Sequence, residues 1–398
     1  MICIIFFTLN LARMTVRDRA LTAYKEKEMN LDRYIEELKS LVNVDCGTQT
    51  IAGVAAVAGI LESLWQREGW HTGQVNLGEK VGPGLFVSNK PQAEQFDVLL
   101  VGHLDTVFAP GTVAERPLSE DDTRLYGPGV SDMKSGLLNI LWALRELDPA
   151  DKDRLAIAVA MNPDEETGSV YSHEWIGALA QRSRCVLVCE AARADGSLVK
   201  ARKGMAGYHL TFKGVAAHAG NDPEKGRSAI TALANSIVAL NALSDGSRGT
   251  TLNVGVISGG SAANVVADNA VAELDVRFWE NDEYDRVNQA LEALCEKGFL
   301  DGVTTTLTRV NHKPAMAASV ATQALMQQVE AAGKAEGIAI TWQAVGGGSD
   351  ANHTAALGIP TLDGLGPIGA GFHSPAEWLD KASIAPRIRL LKRVVSML

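Results

Sequence analysis

Four short, continuously apolar runs constrain this chain more than any other feature: GLFVSN from Gly84, FDVLLVGH from Phe96, LAIAVAMN from Leu155 and CVLVCEA from Cys185. Runs of this length, bounded by polar or glycine-rich segments, suit strands covered on both faces, and such strands belong to sheets with helices packed above and below. Periodicity supplies the helices. LDRYIEELKSLV from Leu31, IAGVAAVAGILESLWQREG from Ile51 and SGLLNILWALREL from Ser135 repeat their apolar residues at helical spacing, and the last lies where a crossover between two strands would run. This part of the chain is expected to form an α/β layer.

After about Lys203 the texture changes. GYHLTFKG, TLNVGVISGG, AVAELDVRFW and GVTTTLTRV alternate apolar and polar residues as half-exposed strands do, and two helical stretches, GRSAITALANSIVALNAL and EYDRVNQALEALCEKG, are interleaved with them. The order strand, helix, strand, strand, helix, strand is that of a ferredoxin-like two-layer α/β sandwich. Beyond Pro314 come a helix, ATQALMQQVEAAGKAEG, short apolar runs and a final helix from about Ile384. The expected organisation is a larger unit made of residues 29–205 and 314–398, with a smaller unit, 206–313, inserted in it.

Length and charge narrow the partners. At about 150 residues per domain, 398 residues allow two or three domains with ample core. A net charge of -10 argues against nucleic acid or an anionic membrane, which need basic patches, and leaves a small molecule or peptide as the expected partner. Cys3, Cys46, Cys185, Cys189 and Cys295 are odd in number and none has zinc-knuckle spacing, which fits free thiols in a reducing compartment. The opening MICIIFFTLNLA lacks a basic flank and a small-residue cleavage site, and is too short to span a bilayer. Residues 1–28 are therefore read as an N-terminal extension of uncertain status, and the protein as cytoplasmic, with export the minor alternative.

In open α/β sheets ligands sit beyond the carboxyl ends of the strands. FDVLLVGHLDTV ends there with His103 and Asp105, two residues apart and so on one side of an extended chain. LAIAVAMNPDEE ends with Glu165 and Glu166, and CVLVCEA with Glu190. A glycine-rich turn, YGPGVSDMKSG, delivers Asp132 just before a helix, and GFHSPAEW places His373 in another turn. Taken alone, three consecutive acids at 164–166 read as a solvated turn, and a lone histidine as a structural residue. Several acids and a histidine at one sheet edge read differently, because converging carboxylates cannot all stay ionised without a cation. Imidazole with carboxylate suits zinc, manganese or cobalt. Charge counting favours two Zn²⁺ ions, whose +4 is balanced by Asp132, Glu166, Glu190 and a bridging hydroxide.

The motifs GHLDTV, LYGPGVSDMKSG, NPDEETGS, VCEA, AAHAG, GGGSDAN and GFHSPAEW stand in the order and spacing of one family. From about Leu31 to the C-terminus the chain resembles the M20 family of co-catalytic zinc peptidases and deacylases, and within it the glutamate carboxypeptidase subgroup. The resemblance implies the zinc exopeptidase fold: a catalytic domain on a mixed sheet with the inserted sandwich as lid and dimerisation domain. It implies that Asp132 bridges two metals, zinc or else cobalt or manganese, that His103 and Glu190 complete one, and that Glu166 and His373 complete the other. Glu165 would be the general base and Asp105 would orient His103. Which of the two neighbouring glutamates is the base comes from the family and not from the residues themselves. His218 in AAHAG would stabilise the oxyanion, often from the partner subunit of a homodimer. Asn264, Arg277 and the backbone at Gly347 and Gly348 would bind the substrate's carbonyl and carboxylate.

The implied reaction is metal-dependent hydrolysis of an amide bond beside a free carboxylate. It would release a C-terminal amino acid, with glutamate a candidate, from an N-acyl amino acid or short peptide. An N-deacylase acting on acetylornithine or succinyl-diaminopimelate is the alternative, and a binding paralogue without catalysis a remoter one. Met133 stands where the carboxypeptidase subgroup often has a second acid, and Lys313 where it has arginine; Glu190 in place of aspartate points back towards the carboxypeptidases.

Overall fold

The structure, a computed structural model, describes residues 29–398. The opening apolar segment and Cys3 lie outside the described residues. The main sheet has six strands in the order β1 (His71–Val75), β2 (Gly84–Ser88), β6 (Ile157–Asn162), β3 (Val98–His103), β7 (Val186–Val188) and β14 (Thr361–Leu362). The first three are joined antiparallel; β6, β3, β7 and β14 run parallel, so their carboxyl ends share one edge. All four apolar runs read from the sequence are strands of this sheet.

Both faces are covered, and side-chain alternation decides what covers each. In β6, Ile157, Val159 and Met161 join the larger core, built with the helices Leu31–Val42, Ile51–Arg67, Ser135–Arg145 and Lys381–Ser396. Ala158 and Ala160 face the other way, into a smaller core shared with the helices His173–Gln181 and Asp350–Ala356. Fully burying each large aliphatic side chain contributes about 1.5–3 kcal/mol, which is why a single polar substitution in β3 or β6 would be felt across the layer.

Two small sheets flank this layer. One pairs β8 (Leu198–Arg202) with β13 (Trp342–Val345) in parallel; the other runs β15 (Gly369–Ala370), β16 (Trp378–Asp380), β5 (Arg124–Tyr126) and β4 (Ser119–Glu120). They are short or mixed in character, and periodicity gives no sign of most of them.

The remaining strands, β9 (Gly204–Lys213), β10 (Thr251–Gly259), β11 (Asn269–Phe278) and β12 (Thr304–Lys313), form an antiparallel sheet in the order β10, β11, β9, β12. With the helices Ala229–Asn241 and Asn281–Lys297 between them, this is the ferredoxin-like topology. Tyr208, Leu210 and Phe212 of β9 pack with Leu233, Val276 and Leu291 in a core separate from that of the main sheet. The chain enters this sandwich at Gly204 and leaves it at Lys313, and the crossings are neighbours, since Met205 of β9 pairs with Lys313 of β12. Cys46, Cys185, Cys189 and Cys295 are free thiols. Among the described residues no helix is long and apolar enough to cross a membrane.

Candidate active site

Register sets the level of the first residues. Val101 of β3 pairs with Val188 of β7, and His103 with Asn162 of β6. His103 and Glu190 each stand two residues beyond a paired valine, and Glu165 stands three beyond Asn162. Asp132 comes from the loop before the helix Ser135–Arg145. That helix can approach because Gly136 has no side chain: a Cβ there would lie 2.1 Å from the carbonyl oxygen of Cys189, next to Glu190. His373 sits on a tight turn with φ 59, the left-handed region that a non-glycine residue occupies at a cost.

These residues meet. Asp132 turns its two oxygens in different directions: Oδ1 is 3.2 Å from His103 Nε2, and Oδ2 is 3.2 Å from His373 Nε2. Glu190 Oε1 lies 3.6 Å from the same His103 nitrogen, and Glu166 Oε2 lies 3.1 Å from that of His373. The cluster is thus two histidine–glutamate pairs with one aspartate between them. Among the described residues, His103, Asp132 and Glu166 offer ligand atoms that all lie within 4.8 Å of one another.

Electrostatics make the crowding plain. Burial, together with the neighbouring carboxylates, pushes Glu166 up to about 7 and Glu190 well above the usual carboxylate range. Asp132 is pushed up by burial as well, but hydrogen bonds from His103 and His373 overcome this and hold it low. Those bonds to Asp132 and Glu166 raise His373 to about 10. Buried carboxylates that must compete for imidazole protons are a donor set a divalent cation would relieve, and imidazole with carboxylate is the chemistry that fits one.

Asp105 is fully buried, but its placement adds to the expected one. His103 Nδ1 is nearer the main-chain carbonyl of Asp105, at 3.0 Å, than its carboxylate, at 3.4 Å. The carboxylate accepts from Thr48 Oγ1 at 2.6 Å and from the backbone N–H groups of Glu165 and Glu166 at 3.2 and 3.3 Å. It fixes the turn that carries both glutamates as well as lying beside the imidazole.

Two residues to which the sequence assigns no role stand beside this cluster. Lys313, 4% exposed, donates to the Glu165 carboxylate, and its ammonium outweighs burial to hold that group below the usual range. Glu377, 1% exposed, accepts from the backbone N–H of Gly129 at 2.9 Å, Ser131 at 2.8 Å and Asp132 at 3.0 Å. It clamps the loop that presents Asp132. In sequence Glu377 is one acid in a polar turn, and only the fold brings it to a loop 245 positions earlier.

Gly347 and Gly348 line the cavity that holds the cluster, and the Gly347 carbonyl accepts from Arg202. His218, Asn264 and Arg277 do not line it. His218 bridges Val265 on the sandwich surface, Ala219 N–H donates to the Asn264 carbonyl at 3.0 Å, and both side chains are exposed. Arg277 lies on β11 and donates to Asp275 at 2.9 Å.

A mixed sheet at whose parallel edge two imidazoles and several carboxylates meet in a cavity defines a donor set of the kind that metal-dependent hydrolases carry. The chain belongs, more particularly, to peptidase family M20/M25/M40, whose profile matches residues 99–397. It is 29% identical to carboxypeptidase G2 of a Pseudomonas species over 366 residues, 91% of this chain and 88% of that protein. It is 30% identical to an acetylornithine deacetylase of Pectobacterium carotovorum over 218 residues, 50% of this chain and 56% of that one. In fold it matches the aminopeptidase PepT of Bacillus cereus with a TM-score of 0.74 at 24% identity, covering 92% of this chain and 98% of that one. An M20 family metallo-carboxypeptidase of Sulfolobus solfataricus matches with a TM-score of 0.70 at 18% identity, covering 93% and 99%. Family membership carries divalent-metal use with it, which the donor set of this cluster fits.

Proposed function

We propose that this protein hydrolyses an amide bond beside a free carboxylate, releasing the C-terminal amino acid of an N-acyl amino acid or short peptide, with two zinc ions. The observation that carries the reading is the divided Asp132 carboxylate, one oxygen towards each histidine–glutamate pair. His103, Glu190 and Asp132 would hold one ion, His373, Glu166 and Asp132 the other. Bound there, the ions supply Lewis-acid polarisation of the scissile carbonyl and acidify water. Glu165 takes the proton of the attacking water as the C–O bond forms, then delivers it to the nitrogen as the C–N bond breaks. Lys313 keeps Glu165 ionised, and so ready to accept, before the first transfer and again after the second. Asp105 keeps His103 and the Glu165–Glu166 turn in place.

His218 and Asn264 act from a second copy of the chain, where they serve the oxyanion and the substrate's carbonyl. The sandwich is the interface: β10 is an edge strand with exposed Val256 and Ile257, and the adjacent helix exposes Ile230 and Val238. Wild type is expected to sediment as a dimer and a Val256→Asp, Ile257→Asp double variant as a monomer; a monomeric wild type at micromolar concentration would remove this part of the reading.

Glu377 keeps the Asp132 loop in register for metal. A Glu377→Gln substitution sets an NH₂ group against one of three backbone donors, and is expected to weaken metal binding about 10- to 100-fold. Competition against a chromophoric chelator measures it, and unchanged affinity would show that the clamp is dispensable.

The deacylase reading keeps one supporting observation: buried Met133, whose sulfur accepts from the His103 N–H at 3.2 Å, stands where a second acid would favour the carboxypeptidases. Amino-acid release from pteroyl- and benzoyl-glutamate, N-acetylornithine and several dipeptides, with zinc and with chelator, decides between them. Chelator-sensitive release of glutamate supports the carboxypeptidase, release from acetylornithine alone the deacylase, and silence across the panel with zinc supplied contradicts both.

A further inference from the structure

We propose that Arg193 receives the free carboxylate of the substrate and thereby fixes which half of the amide lies on which side of the acid cluster. This rests on the amide-hydrolase reading above. Two cavities touch the cluster, and Glu166 lines both. One, about 230 Å³, contains Asp132, Glu190 and His373 together with two guanidinium groups, Arg193 and Arg202. The other, about 460 Å³, is lined by threonines at 48, 50 and 106, by Val107 and Phe108, and by no lysine or arginine. A carboxylate entering beside so many acids needs a cation, so it belongs to the first cavity. The larger and less polar one is left for the acyl half.

Of the two arginines, Arg202 is committed. It is buried, with Nε donating to Asp363 at 2.7 Å and Nη1 to the Gly347 carbonyl at 3.0 Å, and Asp363 is further held by Ser349. Arg193 is not committed in this way. Its Nη2 donates to the Ala191 carbonyl at 2.8 Å, while its Nε is buried without a partner among the described residues. Arg193 therefore lines the cavity with bonding capacity that no neighbouring acceptor takes up, which a carboxylate entering there can use. Position agrees with this. Arg193 follows Glu190 by three residues, on a tight turn closed by Gly196 N–H to the Arg193 carbonyl at 2.7 Å, and its guanidinium lies over Phe372 at 5.3 Å, next to His373. One side chain is thereby wedged between the segments that carry a ligand of each histidine–glutamate pair. Arg277 is bonded to Asp275 outside this cavity.

The test compares acid with amide. N-benzoyl-glutamate and its α-carboxamide are titrated calorimetrically into zinc-loaded protein on a Glu165→Ala, Lys313→Met background, where turnover does not interfere and no ammonium is left unpaired beside the cavity, with Arg193, Arg193→Lys and Arg193→Gln. The acid is expected to bind about 10- to 100-fold tighter than the α-carboxamide when Arg193 is present. That preference should collapse below about threefold in R193Q and survive in part in R193K. Equal binding of acid and carboxamide by the protein that retains Arg193 overturns the assignment without any variant. So does an undiminished preference in R193Q of unchanged melting temperature. The kcat/KM of the wild type on the panel reads the parent hypothesis separately. Hydrolysis without acid preference sinks only the role of Arg193, and acid preference without hydrolysis sinks only the function.

Discussion

Glu165→Ala protein is expected to retain its metal and lose turnover by about 10³-fold or more, within the range of a lost general base. Glu165 touches neither histidine; it is 9% exposed and its carboxylate faces Lys313, while its backbone is pinned by Asp105. Removing it therefore takes away a proton carrier without taking away a ligand. Stability should fall as well, because Lys313 is left as a buried ammonium without its partner, a loss of about 3 kcal/mol. A Glu165→Ala, Lys313→Met double variant separates the two effects: melting temperature should recover while turnover stays lost. Metal content and single-turnover rates on the best substrate make the measurement, and activity within tenfold of wild type would overturn the assignment of the base.

Asp132→Ala is expected to abolish metal retention at both positions, with affinity down more than about 100-fold. Among the described residues Asp132 alone is ion-paired with both histidines, so its loss separates the two pairs at once. His103→Ala or His373→Ala should instead weaken one position more than the other. Atomic emission after dialysis, paired with the half-life in chelator, reads the difference. Two ions per chain retained by the Asp132 variant would show that the pairs hold metal without a shared bridge.

Much of this arrangement is legible in the sequence. Parallel strands all point their carboxyl ends one way, so asking which residue follows each apolar run finds His103, Glu165, Glu166 and Glu190 with no knowledge of strand order. Asp132 and His373 were legible through their turns, where glycine and proline mark sharp reversals. The supporting residues were not. Glu377 acts on backbone groups far away in the chain, and nothing in SPAEW distinguishes it from a solvated acid. Lys313 stands out in sequence only as a lysine where the carboxypeptidase subgroup has arginine, and nothing there shows that the fold buries it against Glu165. Arg193 sits in a polar turn of ordinary composition, and its interest lies in a donor left without an acceptor, which no local pattern records. Asp105 was found for its place beside His103, but its bonds to the backbone of Glu165 and Glu166 depend on how two strand ends lie together.

Lys313 is the last residue of β12 and pairs across the sheet with Met205, where the chain first enters the sandwich. The insert is therefore stitched to the larger body by a double seam, and one thread of that seam ends on the Glu165 carboxylate. Trimming the gene to the main sheet would cut that thread. The shortened chain would keep every proposed metal ligand, yet its proposed base would face no ammonium, so an insert removed as an accessory would take part of the acid–base chemistry with it.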